Sequence, residues 1–305
     1  AVGDQTMPSI SGANGRAALF WRNEQTANLQ GVGVVGTATT GTTQTAATSN
    51  DPANSSVSCY DNGGGTDCIL VWQTDDGDLD ISWTALEVAN AGMSAPAAEQ
   101  ALISEAGDQF DPSVLGSVIG FTVAYTNHVD GEDSDVYASG FLSNGTSLFT
   151  EVEVGATDGD EIGISVVSVD TSIGFAWNDN DGNIVYRSME ATGVNPTTPA
   201  TINQSANVQS EPSVAHNGSR YLVSWSDARD DDIHRTRVSN NGVVSDAMGN
   251  SMVTSGSDTG SDICSDGNKF LVVWIEDADI VRGQVVKDGG GDDGAPRIIS
   301  GAGLA

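Results

Sequence analysis

Short apolar runs that end in an aromatic residue and give way at once to aspartates recur along this chain; YLVSWSDARDDD at 221–232 is the clearest. The aromatic falls at Trp21, Trp72, Tyr125, Trp177, Trp225 and Trp274, at intervals of 51, 53, 52, 48 and 49 residues. In three units a proline (Pro8, Pro112, Pro212) stands 13 residues before it, in the related runs GDQTMPSI, GDQFDPSV and NVQSEPSV. Each unit reads as four short strands, a to d. In the fifth, PSVAH is a, YLVSW is b, IHRTRVS follows the acidic turn SDARDDD as c, and SMVTS is d. Strand b is apolar at successive positions, so both its faces should be buried. Strand c alternates, as in DIVRGQVV, which predicts one wet face.

Helix signals are nearly absent. APAAEQALISEAG at 95–107 is rich in helix formers but aligns with strand d, so one helical turn at most is expected. Four-stranded units of ~40–50 residues in series are the signature of a β-propeller. The expectation is therefore an all-β, six-bladed propeller with four antiparallel strands per blade. It forms a single domain over 1–305, with blades near 7–53, 54–110, 111–161, 162–210, 211–260 and 261–305. The chain opens just before a strand a and closes just after a strand d at 297–300, so no blade needs to borrow a strand. Burial of each strand b aromatic between adjacent blades is the expected source of stability.

Composition agrees with this pattern and adds one strong feature. Thirty-seven glycines suit a turn-rich β protein. No run approaches the ~20 apolar residues that cross a bilayer. The first ten residues lack the basic and apolar regions of a signal peptide, and the chain begins partway through a repeat, as a piece of a longer or processed protein would. The strong feature is a net charge of −31, from 42 acidic and 11 basic residues. Such a field repels nucleic acid and anionic lipid, attracts cations, and keeps a protein soluble in salty surroundings. Cys59 and Cys68 flank the turn segment YDNGGGTD and are expected to pair across a hairpin, which points to an oxidising compartment. Cys264 is expected to be a buried free thiol occupying the place of Cys59 in its own repeat.

The candidate chemistry lies in the turns after strand b. They carry Asp75, Asp76, Asp78 and Asp80; Asp130, Glu132, Asp133 and Asp135; Asp179 and Asp181; Asp227, Asp230, Asp231 and Asp232; and Glu276, Asp277 and Asp279. In a propeller these turns and the connections from strand d to the next strand a emerge at one end, so a ring of carboxylates around one mouth is expected. Oxygen-only sets of this kind suit calcium. DDGDLD and NDNDGN resemble fragments of calcium loops without the full EF-hand pattern. The candidate metal ligands are Asp75, Asp76, Asp78, Asp80, Asp179, Asp181, Asp230 and Asp232, against the plainer reading of solvated turns.

No catalytic set emerges. Too many carboxylates are available to single out a glycosidase pair, the S-x-D-x-G-x-x-W box of sialidases is absent, and His128, His216 and His234 lack metal-ligand spacing. No nucleophile elbow occurs. Asn54, Asn144, Asn203 and Asn217 lie in N-x-S/T sequons.

The runs PSVAHNGSRYLVSWSDARDDDI and SDICSDGNKFLVVWIEDADIVRGQVV resemble the ~50-residue propeller repeats of large secreted or surface proteins of bacteria. The resemblance covers essentially the whole chain, with blades one and four matching poorly. It implies an exported propeller and no particular activity. The expected role is a non-catalytic module at the cell surface that binds a protein or glycan partner, within a larger protein or assembly. The alternatives are a lectin using exposed aromatics such as Trp83 or Tyr186, and a polysaccharide hydrolase or lyase.

Overall fold

The computed structural model describes residues 5–300 apart from 37, 49, 118, 130, 170, 204–207, 253–255 and 279, and its regular elements are all strands. They form six sheets, each of consecutive antiparallel strands. Blade one is β1 (Gln5–Ala13), β2 (Arg16–Asn23), β3 (Asn28–Val35) and β4 (Ala38–Ala47). Blade two is β5 (Ala53–Asp61), β6 (Thr66–Asp75) and β7 (Leu79–Ala89), with a split outer strand, β8 (Gly92–Met93) and β9 (Gln100–Ile103). Blade three is β10 (Asp108–Gly116), β11 (Gly120–His128), β12 (Ser134–Leu142) and β13 (Ser147–Gly155). Blade four is β14 (Ile162–Val169), β15 (Ser172–Asn178), β16 (Ile184–Glu190) and β17 (Ala200–Asn203). Blade five is β18 (Gln209–His216), β19 (Arg220–Asp227), β20 (Asp232–Ser239) and β21 (Asn250–Ser251). Blade six is β22 (Asp258–Ser265), β23 (Phe270–Glu276), β24 (Ile280–Val286) and β25 (Arg297–Ser300). The fold is an all-β, six-bladed β-propeller. It divides into two compact units, Ala1–Glu153 and Val154–Ala305, the boundary falling within β13. The helix formers at 95–107 lie in irregular chain and in β9, because the outer edge of β7 offers them backbone partners.

Core residues gather between neighbouring blades. On β6, Leu70 and Trp72 pack with Phe20 and Leu29 of blade one, while Ile69 and Val71 pack with Val114 and Tyr125 of blade three. The same division holds in the second unit, where Val223 and Trp225 pack with Ala176 and Tyr186 of blade four, and Leu222 packs with Trp274 of blade six. Strand b thus buries both faces, as its apolar run requires. Blade one departs from the pattern: Trp21 is half-buried, and its neighbour Phe20 is the fully buried aromatic of β2. Strand c of blade five also differs from expectation. β20 is buried nearly throughout, because the 287–293 loop of blade six covers Arg235 and Arg237.

The inner strands explain the proline. In every blade strand a bulges, with two of its residues facing one residue of strand b. That one residue is always the repeat's aromatic. The first bulge residue is left-handed in each blade: Met7 (φ 50°), Asn54 (45°), Asp111 (50°), Gly163 (68°), Glu211 (55°) and Gly260 (63°). Pro8, Pro112 and Pro212 occupy the second position, where the missing N–H costs the ladder nothing. The serine that follows ties the blades together. Ser9 Oγ accepts from Val57 N (3.0 Å), Ser56 Oγ from Val114 N (3.1 Å), Ser165 Oγ from Val214 N (3.2 Å) and Ser213 Oγ from Ile263 N (3.2 Å).

The cysteines lie at the other end of the strands. Cys59 and Cys68 are register partners on β5 and β6 and are disulfide-bonded. Cys264 is exposed, not buried. By register it is Ser265, opposite Phe270, that occupies the place of Cys59, so Cys264 points to the opposite face of its strand.

Candidate functional site

The turns after strand b form one end of the blades, and the connections entering each strand a thread between them. In the first unit Asp75 N donates to Asn50 O (2.8 Å) and Leu79 N to Asp108 Oδ1 (2.9 Å). In the second, Gln209 N donates to Gly182 O (2.8 Å), Ala228 N to Val208 O (3.0 Å), Asp258 N to Asp231 O (2.7 Å) and Asp277 N to Ser257 O (2.9 Å). Two of the connections are also held by a buried polar residue at or just before the start of strand a. Gln109 accepts from Glu105 N (3.1 Å), and Glu161 from Thr157 N (3.2 Å) and the Thr157 hydroxyl. The polar turns are therefore stitched in place on both sides.

Burial sorts the carboxylates at this end. Glu161, Asp227, Asp232, Asp258 and Glu276 are buried. The Asp227 side chain is 0 % exposed. It accepts from Trp225 Nε1 (3.3 Å), Asn203 Nδ2 (3.2 Å), Arg229 N (3.0 Å) and the Arg229 guanidinium (3.3 Å). Glu276 pairs with Arg282 at 2.6 Å, and Asp232 accepts from Ser251 Oγ at 2.7 Å. These groups hold the turns rather than face a ligand.

The candidate metal ligands fall into three separate turns. Asp76, Asp78 and Asp80 bring carboxylate oxygens within 4.8 Å of one another, and among the described residues they are the group of three that does so. Burial, reinforced by the Asp78 and Asp76 charges, pushes the Asp80 carboxyl above the ordinary range against the opposing bond from Ser104. One Asp80 oxygen is buried with no hydrogen-bond partner. Asp75 lies beside them and caps Gly77 N (3.2 Å). Asp179 is engaged by its own turn, accepting from Asp181 N (3.1 Å) and from Asn183 N (2.8 Å) and Nδ2, while Asp181 is exposed. Asp230 pairs with His234 Nε2 at 2.9 Å, apart from the buried Asp232. Asp130 and Asp279 lie outside the described residues.

Other candidates move too. Trp83 and Tyr186 are buried, at 5 % and 1 % exposure. They face neighbouring blades because the half-apolar strand c uses them as core, so neither is an exposed lectin platform. His234 is buried on β20, the predicted strand c, opposite Trp225. Of the sequons, Asn203 and Asn217 are buried and Asn54 is bonded to Gln73 and Asp111, which leaves Asn144 exposed in the turn after β12.

The inner-strand bulges carry polar groups that the sequence pattern did not single out. Asn54 Nδ2 donates to Asp111 Oδ1 at 2.8 Å, linking the bulges of blades two and three, and Glu211 Oε2 accepts from Gly260 N at 2.8 Å, linking those of blades five and six. Burial raises the Asp111 carboxyl above its ordinary range, and the Asn54 bond partly opposes this. The available signal was the residue just before Pro112 and Pro212, which differs in every repeat while its neighbours recur.

No protein-family model matches the chain, and no curated protein matches it in sequence. Solved structures do. A fucose-specific lectin from Aleuria aurantia superposes with a TM-score of 0.62 at 11% identity, over 98% of both chains. A Trypanosoma rangeli sialidase gives 0.59 at 11% identity over 95% of this chain and 54% of its own. A thermostable family-43 glycoside hydrolase gives 0.50 at 12% identity, over 79% of this chain and 91% of its own. At these identities the likeness concerns the fold alone: the chain is a six-bladed β-propeller similar in architecture to these proteins.

Proposed function

We propose that this protein is a non-catalytic, extracytoplasmic binding module whose ligands are glycans, recognised at the end that carries the turns after strand b. The carrying observation is the division of labour among its carboxylates. Buried ones are spent on holding the turns, so the exposed ones sit on preorganised polar loops, which lowers the ordering cost of binding a hydroxyl-rich ligand. The lectin and hydrolases of the same fold favour glycan over protein as the ligand class. The Cys59–Cys68 disulfide supports an oxidising location. A glycan array probed with the purified protein tests the reading; absence of binding to any immobilised glycan, with and without calcium, overturns it.

Calcium is the cation proposed for Asp76, Asp78 and Asp80. Three carboxylates supply hard oxygen donors only, and the orphaned Asp80 oxygen is a polar atom that a cation would satisfy. A catalytic reading is favoured by one observation: Asp111 is a half-buried carboxylic acid with a raised pKa and no ion-pair partner among the described residues, the kind of environment a general acid needs. Screening polysaccharides for hydrolysis with wild type and Asp111→Asn decides it.

A further inference from the structure

The turn of blade five between β19 and β20 differs from the other acidic turns in carrying a cation that sits against a buried histidine of β20. Arg229 is anchored from behind. Its NH2 nitrogen lies within hydrogen-bond distance of the buried Asp227 (3.3 Å), of His234 Nδ1 (2.9 Å) and Nε2 (3.2 Å), and of Met248 O (3.4 Å). Nε2 also lies 2.9 and 3.1 Å from the two Asp230 oxygens, and with the ring proton on Nε2 the imidazole accepts from Arg229 at Nδ1 and donates to Asp230. His234 is itself clamped over the buried Trp225, with ring centroids 6.1 Å apart. All the anchoring bonds of Arg229 thus fall on one nitrogen and on its backbone N–H. Its Nε and NH1 make no hydrogen bond within the described structure, and the side chain is partly exposed, as is the Asp230 carboxylate. Two residues with exposed apolar side chains are joined to this turn through their backbone carbonyls. Val208 is held by the Ala228 N–H to its carbonyl, and Met248 by the bond from Arg229.

We propose that Arg229 and Asp230 form a saccharide subsite that chelates two adjacent hydroxyls of a neutral sugar. A guanidinium edge offers donors only and a carboxylate acceptors only, so side by side they match a vicinal diol, whose hydroxyls both accept and donate. Both groups are locked before the ligand arrives, which spares the entropy of ordering two long side chains. The local charge sets the specificity. Four aspartates, Asp227, Asp230, Asp231 and Asp232, and one arginine share residues 227–232, so a uronate, sialate or sulfated sugar meets net repulsion at this turn and a neutral sugar does not.

The subsite rests on the glycan-binding reading, and the test separates the two. Wild type, Asp230→Asn and Arg229→Gln are compared on an array of immobilised neutral and uronate- or sialate-terminated oligosaccharides, with affinities for the best neutral probe taken by calorimetry. The expected result is binding confined to neutral glycans and weakened about tenfold or more in each variant, the worth of one charge-assisted hydrogen bond. Asp230→Asn leaves the Asp227 anchor intact and keeps an oxygen that can accept from His234, so it carries the test if Arg229→Gln does not fold. Neutral-glycan binding that survives Asp230→Asn unchanged, or a preference for acidic glycans, overturns the subsite and leaves the glycan reading standing. No binding to any glycan overturns both.

Discussion

The two units of the molecule have the same blade architecture and nearly the same number of acids, yet they treat their charge differently. Residues 1–153 contain 20 of the 42 acidic residues and only Arg16 and Arg22 as cations; residues 154–305 contain 22 acids and the other nine cations. In the second unit the carboxylates are answered from within. Asp227, Asp230 and Glu276 are paired, and the 287–293 loop is clipped to blade five by Asp288 on Arg220 (2.9 Å) and Asp292 on Arg235 (2.5 Å). In the first, Asp76, Asp78 and Asp80 converge without a counter-charge, and Asp111 is half-buried with only a carboxamide against it. The same repeat can therefore be stabilised by internal ion pairs or left dependent on ions from solution, according to where a few arginines fall.

The largest effect that would break this contrast is at the buried anchor of the second unit. Asp227→Ala orphans Trp225 Nε1, Asn203 Nδ2 and the Arg229 N–H, and should cost about 3 kcal/mol in denaturant unfolding. Asp78→Ala in the first unit should cost nothing in calcium-free buffer and can raise stability, since it removes repulsion. Equal losses in the two variants would erase the distinction.

Next comes the covalent link of the first unit. Reducing Cys59–Cys68, or replacing both by serine, should cost ~2.5–3 kcal/mol through the entropy of the loop it closes. A melt unaffected by reductant would mean that blade two does not need it.

Calcium sharpens the contrast further. Added at about a hundredfold its dissociation constant, it should stabilise wild type by about 2.7 kcal/mol. Asp78→Asn should abolish the shift and Asp230→Asn should not. A calorimetric titration after chelation that shows no heat removes the proposed site.

Acid gives the smallest and most diagnostic effect. Bonds from Asn217 and Ser219, with Arg220 beside them, hold the Asp288 carboxyl below its ordinary range, and Lys269 does the same for Asp293. Their contribution is present above the unfolded carboxylate pKa of 3.8 and is lost as pH falls through the lower folded values. Asp111 and Asp80 are raised by burial, so their contribution is present below that value and is lost as pH rises through the folded pKa. Asp111→Asn should therefore raise the melting temperature at pH 7 and lose that gain by about pH 3, while Asp288→Asn should do the reverse. Parallel pH profiles for the two variants would contradict both assignments.

Much of this molecule was legible in its sequence, and for a physical reason: a repeat states the same local requirement six times. The apolar run of strand b, buried on both faces, and its spacing count the blades, and the fifth repeat's a–b–c strands fall where its pattern placed them. The hairpin cysteines were legible because strand register with a short turn puts Cys59 opposite Cys68. Register also undid the reading of Cys264, since a shift of one residue along a strand turns a side chain to the other face. What sequence could not separate were residues of the same type with different surroundings. Trp83 and Tyr186 look like exposed candidates until their burial is known. The turn carboxylates differ in what surrounds them: a buried tryptophan and an arginine at Asp227, a histidine at Asp230, other carboxylates at Asp78. Local sequence determined the blades, their turns and the acidity of one end, because hydrogen-bonded strands and turns need only nearby residues. Tertiary structure alone decided which carboxylates hold the fold and which face solvent, because burial and charge are set by the neighbouring blade, some fifty residues away in the chain.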